Sequence, residues 1–193
     1  MTTSQRDRWD AKHRAAAGGE LAPDPFVVEC LERCRRDGLS GRALDLACGR
    51  GRHALELLRR GFATTACDIS PVGLALAREQ ASSAGHELHE LELDLESRAG
   101  VEALIASGPY DVVVVANFLD RSLLGELGRL LSDQGRLIYT TFHVDAPGDK
   151  PPRRFRLERG ELGAGLSDLT VLAASESESH ARLFALRAPA TSR

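Results

Sequence analysis

Between residues 43 and 142 the chain alternates short apolar runs with longer amphipathic segments, the pattern of β-α-β units laid around a parallel sheet. The apolar runs predict strands over residues 43–47, 63–68, 87–93, 110–116 and 135–142, and helical spacing between them predicts helices over 53–60, 71–84, 97–106 and 121–131. Val112 to Val115 form an unbroken β-branched run, as a strand covered on both faces requires, so this strand belongs in the middle of the sheet. Ser70 before Pro71 pairs a side-chain cap with a residue that has no N–H to leave unsatisfied in a first turn.

Ahead of this region, Phe26, Val27, Cys30, Leu31 and Cys34 fall at helical spacing, with Gly38 as the stop. The first 25 residues are polar and end in the turn-prone Ala22-Pro23-Asp24-Pro25, which predicts an arm outside the sheet. That arm carries the single tryptophan, Trp9. Beyond Phe142, residues 144–152 are rich in breakers and directly follow a strand, where ligands of open α/β sheets bind, so a functional loop is expected there. A short helix near 158–162 and strands over 169–174 and 182–187 complete the pattern, and the brief polar link between those strands makes them antiparallel. The division that follows is an N-terminal arm or lid over residues 1–25 and one α/β domain over 26–193.

Composition narrows the function. With 193 residues, 42% of them apolar, one core is the expectation. Asp and Glu number 28 against 25 Lys and Arg, so no global positive field exists to hold nucleic acid or an anionic membrane, and a small-molecule partner is expected. No apolar stretch approaches the roughly 20 residues that span a bilayer. The four cysteines and the lack of a signal-like N-terminal stretch point to the cytoplasm. Cys30 and Cys34 stand four apart without a second Cys/His pair at zinc-like spacing, so they are read as core and no metal is expected.

The candidate chemistry lies at the strand ends. Ala43-Leu44-Asp45-Leu46-Ala47-Cys48-Gly49-Arg50-Gly51-Arg52 is a buried strand running into a glycine-rich turn that opens a helix, and glycine there lets a ligand approach the backbone. About twenty residues on, the next strand ends in Asp68, within reach of a ribose diol. Asp94 ends the third. Three successive strands each delivering an acid describe a nucleoside site. A dinucleotide brings a pyrophosphate that carboxylates repel, whereas S-adenosylmethionine brings a sulfonium and an ammonium, which Asp45 favours. The segment from Gly49 to Ala54 also fits the loose dinucleotide pattern, so a nicotinamide-dependent oxidoreductase stays as an alternative, as does a noncatalytic nucleoside-binding regulator.

The segment Leu44-Asp45-Leu46-Ala47-Cys48-Gly49-Arg50-Gly51-Arg52 resembles motif I of class I S-adenosylmethionine-dependent methyltransferases, most nearly the bacterial tellurite-resistance-like branch. Residues 117–124, 138–142 and 155–162 are similar to later segments of that branch, and Trp9-Asp10 to a pair near its start. The resemblance implies a Rossmann-like, mostly parallel seven-stranded sheet with an antiparallel last strand. It implies that Gly49 and Gly51 line the methionine moiety, Asp68 binds the ribose, Asp94 and Leu95 meet the adenine, and Asn117 lies beside the sulfonium. Asp45, Ala47 and Ile69 complete this cofactor-binding set, and the Trp9 arm is a lid over it.

Methyl transfer from a sulfonium is an in-line displacement that rests on alignment and electrostatics, so no catalytic triad is required. His143, at a strand end, is the one candidate general base; the other histidines stand in polar surroundings or at a helix start and are expected at the surface. The two prolines and aromatic that follow Asn or Asp in amino methyltransferases of DNA are replaced by Phe118-Leu119-Asp120. The methyl acceptor stays open at this stage.

Overall fold

The computed structural model describes residues 4–16, 22–149 and 151–189. The predicted parallel strands form as β1 (Arg42–Leu46), β2 (Ala63–Asp68), β3 (His89–Glu92), β4 (Tyr110–Ala116) and β5 (Leu131–Phe142), and the late pair as β6 (Thr170–Glu176) and β7 (His180–Leu186). They make one sheet ordered β3-β2-β1-β4-β5-β7-β6. Strands β1 to β5 are parallel, β7 is antiparallel to both β5 and β6, and so β7 alone runs against the rest. The sheet grows from β1 in both directions, and the reversal between β1 and β4 is the switch point at which open α/β sheets bind ligands.

Side-chain alternation along β4 explains its place. Val112 and Val114 pack with Val27, Cys30, Leu31 and Cys34 of helix α2 (Pro25–Arg36) and Leu57 of helix α3 (Arg52–Arg59). Val113 and Val115 face the other side, with Leu104 of helix α5 (Arg98–Ser107), Leu127 and Leu130. A strand buried on both faces has no polar face to show, hence the continuous valine run. Burial pushes the Cys30 and Cys34 thiols up to about 12, so both behave as apolar filling.

Three elements depart from the pattern reading. The arm contains a helix, α1 (Gln5–Ala15), begun by a capping box in which the Ser4 hydroxyl accepts from the Asp7 amide and the Asp7 carboxylate accepts from that of Ser4. Residues 1–3 and 17–21 of the arm lie outside the described residues. The helix expected over 121–131 breaks into α6 (Arg121–Leu124) and a 3₁₀ turn (Leu127–Leu130), with β5 already beginning at Leu131. Its leucines keep helical spacing, but Gly125 and Gly128 weaken the helix, and a Cβ on Gly128 would lie 2.0 Å from Asp168 Oδ2. β3 is shortened to four residues because it is the polar sheet edge.

Helix α3 and helix α4 (Pro71–Ser83) meet at Gly51, which has φ +77° and where a Cβ would come 2.5 Å from that of Ala77. Gly51→Ala is therefore expected to lose about 1–3 kcal/mol by thermal unfolding, from crowding added to left-handed strain. Gly61→Ala, at φ +82° with no atom within 4 Å, carries the strain alone and should lose less.

Candidate functional site

The chain turns sharply where β1 and β4 end side by side. Ala47 and Asn117, each the residue after its strand, have φ of 54° and 57°, a conformation costly for residues with a Cβ and concentrated at functional sites. Asp68, at the end of β2, braces this junction: its Oδ2 accepts from the Gly49 amide at 2.8 Å and its Oδ1 from the Ser70 amide at 2.9 Å. One carboxylate thus ties the glycine turn to the entry of α4.

Asp45 sits below the turn. It is 1% exposed, and its Oδ2 accepts from the Ala54 amide at 2.8 Å. Gly51, the N-cap residue of α3, has no side chain to cap with, so Asp45 supplies from β1 the acceptor that the helix start lacks. Burial, aided by the neighbouring Asp68 charge, raises the Asp45 carboxyl to about 7, against the pull of the Ala54 amide and Arg52.

A cavity of about 550 Å³ opens above these strand ends. Asp68, Ile69, Leu93, Asp94, Leu95 and Glu96 line it on the β2 and β3 side. Ala47, Cys48, Gly49 and Asn117 form its floor. On the β4 and β5 side Phe118, Leu119, Phe142, Pro151 and Phe155 make an apolar wall. Gln5, Trp9, Lys12, His13 and Ala16 of the arm form the roof.

The roof is held by polar contacts. Ser70 Oγ donates to Asp10 at 2.5 Å, Arg6 pairs with Glu92 at 2.7 Å, Gln5 bonds Glu96 and Arg50 bonds the Ala16 carbonyl. Trp9 stacks on His13 with centroids 5.7 Å apart, and Lys12 Nζ lies 4.1 Å from the Trp9 ring centre. The wall is held by two arginines. The buried Arg156 donates from Nε to the Pro151 carbonyl at 2.8 Å and from its other nitrogens to Ala146 and Gly148, templating a loop with no regular structure. Arg121 reaches Glu161 at 2.5 and 3.0 Å and the Arg154 and Arg156 carbonyls at 2.9 Å each.

Of the residues singled out from the sequence, Ala47, Gly49, Asp68, Ile69, Asp94, Leu95, Asn117 and Trp9 line the cavity, and three do not. Asp45 is sealed beneath the turn, and Gly51 is spent on the α3–α4 approach. His143 is fully buried; its Nδ1 accepts from the Asp145 amide at 3.1 Å and its Nε2 faces the Ser177 carbonyl, so no ring nitrogen is free to act as a base. The surface expectation fails for His13 and His53, which are 8% and 2% exposed and both border the cavity. His53 Nε2 accepts from the Asp24 amide at 3.1 Å, and burial together with Arg52 pulls its ring down to about 3. The signal for the roof was present in Ser4-x-x-Asp7, which starts a helix and thereby places Trp9 and His13 one turn apart on one face.

Fold and site together define an open, mostly parallel α/β sheet with a cavity over its strand ends. A family model described as a methyltransferase domain matches residues 43–135. The chain is 29% identical over 135 residues to the ubiquinone biosynthesis O-methyltransferase of Nitrosococcus oceani, covering 65% of this chain and 55% of that protein. It superposes on TehB from Haemophilus influenzae with a TM-score of 0.68 at 18% identity, covering 82% and 61% of the two chains. It also superposes on the magnesium protoporphyrin IX methyltransferase of Synechocystis PCC 6803, a structure with bound S-adenosylmethionine, with a TM-score of 0.67 at 19% identity, covering 95% of each chain. The chain spans about half the length of the curated relatives it matches. The chain is thus similar over residues 43–135 to a methyltransferase domain, and in fold to a methyltransferase solved with S-adenosylmethionine.

Two outcomes follow from the bracing acids. Asp68→Ala leaves the Gly49 and Ser70 amides without acceptors and is expected to lower unfolding stability by about 1–3 kcal/mol even without ligand, as measured by denaturant titration. The Asp45 carboxyl keeps its proton in the folded chain to about 7 but loses it near 3.8 when unfolded, so its contribution is fully present below the lower value and disappears as pH rises through the higher. Asp45→Asn does not titrate, so its melting temperature relative to that of the unaltered chain should climb between those two pH values.

Proposed function

We propose that this protein transfers the methyl group of S-adenosylmethionine to a small, apolar, ring-bearing acceptor. The observation that carries the cofactor reading is the distribution of acids around the glycine turn. The N-terminus of α3, which a dinucleotide pyrophosphate would need, is taken by the Asp45 carboxyl, while Asp68 borders the open cavity at the place a ribose would occupy. Each Asp68 oxygen already holds one amide and retains a lone pair for a hydroxyl. In this reading Ile69, Asp94 and Leu95 receive the adenine, and Ala47, Gly49 and Asn117 border the methionine and sulfonium.

The bound cofactor supplies a methyl group on positively charged sulfur, so the residues around it are required to align and desolvate. Phe118, Leu119, Phe142, Pro151 and Phe155 exclude water beside Asn117 and offer flat apolar surface to an acceptor. None of these five side chains titrates, which suits a nucleophile that is soft or readily ionised, such as a thiol or phenol. Relatives named for ubiquinone biosynthesis and magnesium protoporphyrin also work on ring systems, which supports the same class. The net charge of −3 argues against a nucleic-acid acceptor, and four free, buried cysteines suit a reducing cytoplasm. No helix among the described residues is long and apolar enough to cross a membrane.

Calorimetry on the intact chain tests the cofactor reading directly. S-adenosylhomocysteine is expected to bind at micromolar level and NADH far more weakly; the reverse order would replace methyl transfer with hydride transfer. Formation of S-adenosylhomocysteine with a panel of aryl thiols and phenols then separates an enzyme from a nucleoside-binding regulator.

A further inference from the structure

His13 is the one cavity-lining side chain whose buried polar atom, Nε2, has no hydrogen-bond partner among the described residues. A buried, unsatisfied ring nitrogen is costly and rare and calls for an explanation. Two glycines make room for the ring. A Cβ on Gly49 would lie 3.2 Å from His13 Cε1, and one on Gly73 would lie 3.1 Å from His13 Cδ2. The imidazole is thereby wedged between the glycine turn and the start of α4, with Trp9 stacked over it. Lys12, Arg50 and Arg52 also border the cavity, and two carboxylates, Asp68 and Asp10, stand close enough to act on the ring.

Given the cofactor reading above, we propose that His13 donates through Nε2 to the α-carboxylate of the cofactor's methionine moiety, and that this contact is what the arm helix brings to the site. The carboxylate is the cofactor's single anionic group, and His13 borders the cavity together with Gly49 of the glycine turn and the cationic Lys12 and Arg50. Facing the ring are Asp10 and Lys12 from α1, Asp68 from β2 and Arg50 from the turn; α4 contributes the uncharged Ser70 and Gly73. In the unliganded protein burial, with Lys12 and Arg50, lowers the His13 pKa against the opposing pull of Asp68 and Asp10, so the ring is neutral at physiological pH. A carboxylate against Nε2 favours the protonated ring. Cofactor binding is then accompanied by proton uptake, and affinity declines as pH rises through the interval between the free and liganded His13 values.

The test compares two ligands on one variant. His13→Phe keeps a flat ring between Trp9 and the two glycines but removes the donor. Calorimetry with S-adenosylhomocysteine is expected to show a loss of about tenfold or more, as for a hydrogen bond to a charged group. Binding of 5′-methylthioadenosine, which has the nucleoside and sulfur but no carboxylate, should be unchanged within about twofold. His13→Gln, which restores a donor, should recover part of the loss for the first ligand only. Equal losses for both ligands would assign His13 to the nucleoside or to general support of the roof, and no loss for either would remove it from the site. Both outcomes overturn the proposal while leaving the cofactor reading intact. Failure of the unaltered chain to bind S-adenosylhomocysteine would instead overturn that reading and this inference with it.

Discussion

The Asp68 carboxylate is the contact on which the site depends. It terminates β2 and holds, through one oxygen each, the amide of the glycine turn after β1 and the amide that opens α4. Three successive elements are fixed by a single side chain, and fixed at the strand ends where the sheet changes its direction of growth. Charge-assisted bonds to two backbone amides leave the carboxylate rigid and still able to accept. A carboxylate held in this way is preorganised beside the cavity without a loop having to close around it. The same bond sets the separation between the turn and α4 into which the His13 ring fits.

Around this fixed floor the remaining walls are held by different physics. The apolar wall rests on Arg156, whose buried guanidinium satisfies carbonyls that an irregular loop would otherwise leave without donors, and on Arg121, which spans α6, that loop and α7 (Glu161–Gly165). In the breaker-rich segment after β5, Arg156 thus holds the Ala146, Gly148 and Pro151 carbonyls, and Pro151 lines the cavity. The roof has no apolar residue buried in its helix; it is docked by the buried Asp10–Ser70 bond and by the exposed contacts of Arg6 and Gln5, which contribute little net stability in water.

Asp45 shows how a motif residue acts without touching a ligand. It reads in the sequence as the acid of the glycine motif and so as a partner for a cationic ligand, yet it lies under the turn, feeding its oxygen to the start of α3. Its effect on the cavity is indirect, through the start of α3 that it caps at the Ala54 amide.

The order of strands and helices, the central place of β4, the acids at the strand ends and the breaker-rich loop were legible in the sequence, because each follows from local periodicity or from a residue type that tolerates few alternatives. Seven of the nine proposed cofactor residues and Trp9 line one cavity, since β-α-β connections carry strand ends to the same edge of the sheet. What escaped were matters of direction and partnership. Whether Asp45 faces up into the cavity or down into α3, whether the His143 ring keeps a free nitrogen, and which residues dock the arm that was expected over the site are decided by partners outside each local pattern: Ala54, Ser177, and the Ser70 and Arg50 that receive α1. Periodicity records which face of an element is buried, but a polar side chain is placed by the partner that satisfies it, and that partner is chosen only when the chain has folded.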